Sequence, residues 1–291
     1  MKTIQLAAVA LITLGAGTSA WASNANRTRP ADIRLSSTEH GEVAIPVFIG
    51  GAGPFQFLLD TGSSHTAISR TLATALRAVP VAKAPIATSV GWMMAVVVRL
   101  PDVAVGSARV ESLLATALPP NAARWLGEGI SGVLGQDFLS RFDYTLDYRA
   151  SLLSWNDTGR TESGIRLALE SSHGRFLVSL PQGERCRCGV RLVPDSGASR
   201  LVLFTGTEAE RLPSDAPGAS MRVSTLVGAG TARHVTVRVL RVGSATLWDL
   251  SAARVVLPDG TTEDGDGLLP LSLFARVAFF HHEGYMVVQP R

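Results

Sequence analysis

The chain is written twice, and that constrains its fold more than any other feature. "EVAIPVFIGGAGPFQFLLDTGSS" (Glu42 to Ser64) lies over "LVSLPQGERCRCGVRLVPDSGAS" (Leu177 to Ser199) at a constant shift of 135, so that Val43 falls on Val178, Pro46 on Pro181, Asp60 on Asp195, Gly62 on Gly197 and Ser64 on Ser199. "GVLGQDFLSRF" (Gly132 to Phe142) falls on "GLLPLSLFARV" (Gly267 to Val277) at the same shift. Between them "VGSA" at 105–108 recurs at 242–245, two residues further on. Three matches in one order point to an internal duplication, so two similar units must pack together.

Each unit reads as strands. Phe55 to Leu59 is an apolar run too short for a helix, and "HVTVRV" (His234 to Val239) alternates. "RTLATALRAV" and "QDFLSRF" are the short helices expected in the first unit. The reading is mostly β: two pseudo-twofold-related lobes with short helices, near 31–155 and 169–291, joined by a linker at 156–168.

Lys2 followed by the apolar "LAAVALITLGAG" and by "AWA" at 20–22 predicts a signal peptide over 1–22, cut after Ala22. The expected location is therefore periplasmic or secreted. No Cys follows that site, so no membrane anchor is expected after cleavage. A net charge of +3 without Lys/Arg runs argues against a nucleic-acid partner. The two cysteines, Cys186 and Cys188, are either a local disulfide or two free thiols.

Chemistry concentrates where the repeat is strictest. "LLDTGSS" (58–64) and "VPDSGAS" (193–199) each carry an apolar run into an Asp, a hydroxyl residue and a Gly. Such a sequence sets a carboxylate at the sharp turn of a core strand, with Gly permitting the turn and a close approach. One buried carboxylate is costly; two on duplicated lobes can meet at the pseudo-twofold axis. At about 3 Å they would repel by about 5 kcal/mol at an effective dielectric of ~20, worth about four powers of ten in proton affinity. They would therefore share one proton and could hold water between a base and an acid. A third Asp-Thr-Gly, at Asp157, has no repeat partner and reads as a turn in the linker.

These motifs resemble those of the pepsin and retropepsin superfamily of aspartic peptidases, in particular its exported, single-chain, two-lobed bacterial members. The resemblance rests on "LLDTGSS", "VPDSGAS" and "GVLG" (132–135) and covers almost all of the mature chain. It implies an aspartic endopeptidase with Asp60 and Asp195 as the dyad, using no metal or cofactor and acting as a monomer on a peptide or protein substrate. Thr61, Gly62, Ser63, Ser196 and Gly197 would support the two loops, with Thr61 and Ser196 joining them across the axis. Val133-Leu134-Gly135 would pack under the first loop. One flap is expected on the hairpin "TSVGWMMAVVV", tipped at Gly91, Trp92 and Met93; its lobe 2 counterpart has a bare Gly-Ala-Gly tip.

The second lobe departs from the pattern at Pro194, Ala198 and Pro270. Pro194 is expected to leave its strand unpaired. Ser63, facing Ala198, is expected to hydrogen-bond the Asp60 carboxylate, leaving the shared proton at rest on Asp195 and the optimum less acidic. Three other readings compete: a catalytically inactive peptide-binding module of the same fold, a glycosidase with carboxylates about 5 to 9.5 Å apart, and a metal site using His65, His281 and His282.

Overall fold

The computed structural model describes residues 3–5, 32–38, 41–88, 91–120, 126–156, 163–183, 189–225, 228–257 and 263–291. The rest of the predicted signal peptide, Asp157, Cys186 and Cys188 lie outside the described residues.

In both lobes the strand that carries the aspartate is central. In lobe 1, Ala52–Leu59 is exposed where it begins and fully buried over Phe57-Leu58-Leu59. Its apolar residues are consecutive because both faces are covered. It lies antiparallel to Val43–Ile49 and parallel to Ile130–Leu134. In lobe 2, Gly189–Asp195 has the same neighbours, Arg175–Pro181 antiparallel and Gly267–Pro270 parallel. The parallel pairings obey the shift of 135, since Leu134 faces Leu59 as Leu269 faces Pro194.

The antiparallel pairings do not. Ile45 faces Phe57, while Val178 faces Leu192. Val178 is therefore the mate of Ile45, at a shift of 133, and the matches of Val43 with Val178 and Pro46 with Pro181 are two residues out. The lobe 2 hairpin is longer by those two residues. A short match at 133, His40-Gly41 with His173-Gly174, carries the correct alignment.

Further along, each lobe builds a long ribbon. In lobe 2 it is continuous, Gly228–Val242 against Ala245–Val255. In lobe 1 it is broken by Leu100-Pro101 and Ser112-Leu113 into Gly91–Arg99 with Leu114–Leu118 and Asp102–Val105 with Ala108–Glu111. Ser112 and Asp249, 137 residues apart, both adopt positive φ (55° and 49°), so one backbone irregularity survives in both copies. The expected helices form at Arg70–Ala75, where the Ser69 side chain accepts a hydrogen bond from Leu72 N–H, and at Gln136–Leu139.

A third sheet joins the lobes. Tyr144–Asp147 runs antiparallel to Phe274–Phe280, with Tyr144 facing Phe279. These two residues are 135 apart and their rings stack at 4.9 Å, which puts the pseudo-twofold axis between them. Ile33–Arg34 and Ile165–Ala168 form the outer strands of this sheet, so part of the segment read as linker is strand. The main cluster of buried apolar residues runs through both lobes, with smaller clusters beside it in each.

Candidate active site

The axis has a second anchor at the aspartates. Thr61 Oγ1 donates to the Pro194 carbonyl at 2.8 Å, and Ser196 Oγ donates to the Leu59 carbonyl at 2.6 Å. Each hydroxyl also accepts the other residue's backbone N–H at 3.0 Å. These four bonds obey the twofold and lock the two loops together out of water, where an unmade bond would be costly.

The glycines let the loops close. A Cβ on Gly62 would lie 2.6 Å from Asp195 Cγ, and one on Gly197 would lie 3.0 Å from Asp60 Cγ. Each loop backbone thus rests against the opposite carboxyl. Both aspartates are fully buried. Each carboxyl bears directly on the proton affinity of the other, as a facing pair would.

The two carboxyls differ. Asp60 Oδ1 accepts the Gly62 N–H at 2.9 Å, and the Ser63 N–H also favours its ionised form. Asp195 Oδ1 accepts two, from Gly197 at 2.7 Å and Ala198 at 3.0 Å. Burial raises both, and the charge of Asp195 raises Asp60 further, to well above the usual carboxylate range. Asp195 is pushed up to about 7 by burial and restrained by its two N–H donors. Both carboxyls are thus held above the ordinary range, as a pair that shares a proton would be. The hydrogen bond expected from Ser63 to the Asp60 carboxylate is not made: its hydroxyl donates to the His65 carbonyl at 2.8 Å.

Pro194 also behaves otherwise than expected. Its strand continues through it, paired with Leu269 on one side, while the ladder on the other side ends at Val178 and Leu192. The missing N–H costs nothing there, because that flank has no ladder to complete.

With this geometry in place, one comparison decides the family. A family model described as aspartyl protease matches residues 45–138 and again 186–273, well over half of the chain. The chain belongs to the aspartyl protease family. The repeated match falls on the two lobes. No curated protein matches the chain.

Beneath its Asp loop lobe 1 has a buttress that sequence reasoning covered only in part. Asp60 N–H donates to the Leu134 carbonyl at 3.1 Å, and Gln136 N–H to the Ser63 carbonyl at 2.8 Å. A Cβ on Gly135 would strike the His65 backbone at 2.6 Å. Two side chains went unnoticed. Gln136 Nε2 donates to the Thr61 carbonyl at 2.8 Å, and Asp137 accepts both the N–H and the hydroxyl of Thr66, at 2.9 and 2.7 Å. Their signal was polarity directly after an apolar-apolar-Gly block, where lobe 2 has Leu271 and Ser272.

The flap expectation is corrected in detail. Val79–Thr88 and Gly91–Arg99 pair as a hairpin with Thr88 opposite Gly91, so the tip is 89–90, outside the described residues. Gly91, Trp92 and Met93 open the return strand. Trp92 faces solvent, 70% exposed, while Met93 packs on the cluster that holds Leu58 and Val133. The lobe 2 hairpin pairs Thr225 with Gly228, placing its tip at 226–227 rather than on the Gly-Ala-Gly.

The histidines stay apart. His65 Nδ1 contacts Ser64 Oγ, and His281 stacks on Phe279, where burial lowers it to about 4. His282 Nδ1 contacts Asp143. Among the described residues no three His, Cys, Asp or Glu side chains gather as metal ligands.

Proposed function

We propose that the chain is an aspartic endopeptidase that hydrolyses peptide bonds with water activated between Asp60 and Asp195. The observation that carries this reading is the reciprocal exchange between Thr61 and Ser196, which brings two buried carboxyls to one proton.

In this reading Asp195 is the ionised partner and takes a proton from water as the water oxygen attacks the scissile carbonyl carbon. Asp60 gives its proton to the carbonyl oxygen, forming a neutral tetrahedral diol. On collapse one diol hydroxyl returns a proton to Asp60 as the carbonyl re-forms, the C–N bond breaks and the leaving nitrogen takes the proton from Asp195. The cycle returns to one proton between two carboxyls, without a covalent intermediate. The substrate is an extended peptide or protein segment covered by the lobe 1 hairpin. The enzyme acts as a monomer, and the N-terminal apolar run supports export to the periplasm or beyond.

The test is incubation of the mature protein with a mixed peptide pool across pH 3–8, beside Asp60→Asn and Asp195→Asn. New peptide termini from the wild type alone are expected. Binding of peptides by all three proteins with no cleavage would replace this reading by a catalytically inactive peptide-binding module.

A further inference from the structure

The two hairpins that follow the Asp loops have outer edges of different character. In lobe 1 the outer strand, Val79–Thr88, ends its sheet, and it carries Pro80, Pro85 and a bulge between Pro80 and Ala82. Prolines and bulges keep an edge strand from pairing with another chain. In lobe 2 the outer strand is Ser220–Thr225, "SMRVST". It has no proline, and it pairs with the return strand at every residue, from Ser220 opposite Arg233 to Thr225 opposite Gly228, without a bulge. Val223 and Thr225 are buried in it, whereas Val79 and Val81 of the lobe 1 strand are exposed.

That regular edge is occupied. Thr3–Gln5, at the start of the predicted signal peptide, lies along it as a parallel strand, with Thr3 opposite Arg222, Ile4 opposite Val223 and Gln5 opposite Ser224. Among the described residues no other strand borders Ser220–Thr225 on that side, and none pairs with the outer side of Val79–Thr88. Main-chain hydrogen bonds along an exposed sheet edge give strand addition its affinity. Three residues alone would pair weakly, but attachment to the same chain raises their effective concentration. One lobe therefore guards its edge by sequence, and the other covers its edge with a segment of the chain itself.

We propose that the outer edge of Ser220–Thr225 is a strand-docking site outside the Asp loops, and that its occupant is the chain's own N-terminal segment, Thr3–Gln5, for as long as that segment is attached. The predicted cut after Ala22 would release this strand and uncover the edge. The uncleaved and cleaved chains then differ in one surface, a row of unpaired N–H and C=O groups along the lobe 2 hairpin. The ligand such an edge takes is an extended peptide segment without proline, running parallel to Ser220–Thr225. The site is independent of the endopeptidase reading, because a catalytically inactive protein of this fold would carry it equally.

The experiment is residue-resolved amide hydrogen exchange on the full chain, made uncleaved by membrane-free translation, and on the chain that begins at Ser23. Successive N–H groups of a strand point to opposite sides, so about half of those in 220–225 face Thr3–Gln5 and the rest face the return strand. In the full chain the first set should exchange at least about 10-fold more slowly than in the shortened chain, while the second set exchanges alike in both. The full-length double variant Ile4→Pro with Gln5→Pro takes an N–H from the paired side of the segment and leaves lobe 2 untouched. Its edge should exchange as in the shortened chain. Equal exchange of the edge in the full and shortened chains would overturn the proposal, as would wild-type protection in the double variant. Protection in the shortened chain that grows with protein concentration would assign the edge to a second copy and overturn it as well.

Discussion

The two Asp loops are copies that have kept one set of bonds and lost another. Across the axis they remain interchangeable, hydroxyl for hydroxyl and N–H for N–H. Beneath the axis they differ. Lobe 1 braces its loop with Gln136, Asp137 and a helix, while lobe 2 has Pro270 and a single 3-10 turn. The N–H groups on the aspartates are also set differently, Gly62 at 2.9 Å with Ser63 beside it in lobe 1, Gly197 and Ala198 at 2.7 and 3.0 Å in lobe 2. The bonds that hold the carboxyls together tolerated no divergence, whereas those that tell them apart did. Symmetry assembles the site, and asymmetry gives it a direction.

The comparison can be broken most severely at the carboxyls. Asp60→Asn and Asp195→Asn should each lower kcat by about 10²- to 10⁴-fold on a cleaved peptide, because neither lobe's acid replaces the other's. Equal and small losses would mean that the pair is not the catalytic unit. Next come the glycines. Gly62→Ala, at 2.6 Å from Asp195, should cost about 3 kcal/mol of stability, and Gly197→Ala, at 3.0 Å, about 1 kcal/mol. Denaturant midpoints for the two would measure how unequally the loops are packed.

The buttress should be felt in one lobe only. Asp137→Ala leaves the Thr66 N–H and the proton of its hydroxyl without an acceptor and should cost about 2 kcal/mol, whereas Ser272→Ala in lobe 2 should cost under about 0.5 kcal/mol. The smallest expected effect concerns pH and the resting state. Asp60, raised above its unfolded value, binds its proton more tightly in the folded protein. Its stabilising protonation is complete below the unfolded value of about 3.9 and is lost as pH rises toward the folded value. Asp60→Asn should therefore unfold at a higher temperature than the wild type at pH 7 and gain little at pH 3.

Much of this was legible because the constraints were local. Asp-Thr-Gly and Asp-Ser-Gly are needed wherever a carboxyl must sit under another chain, so the duplication is strictest there. What the sequence hid was relational. The outer strands slipped by two residues because Val, Leu and Pro are interchangeable along a buried strand, and only His-Gly marked the true register. Ser63 has a hydroxyl within chain reach of Asp60, but the carbonyl of His65 competes for it and wins. The hairpin register was missed because the flanking strands, pairing Thr88 with Gly91, carry no distinctive residue that fixes it. Arg175 and Glu42 passed as ordinary polar residues, since their burial is decided by strands far away in the chain.

The most direct test of the account is the pH dependence of kcat/KM on one cleaved peptide, measured for the wild type and for Asp195→Asn. A dyad with one shared proton predicts a bell for the wild type, its acid limb set by Asp195 near neutrality rather than in strong acid, and cleavage by the variant lowered at least about 100-fold. A single-sided profile, or cleavage by Asp195→Asn at the wild-type rate, would contradict it.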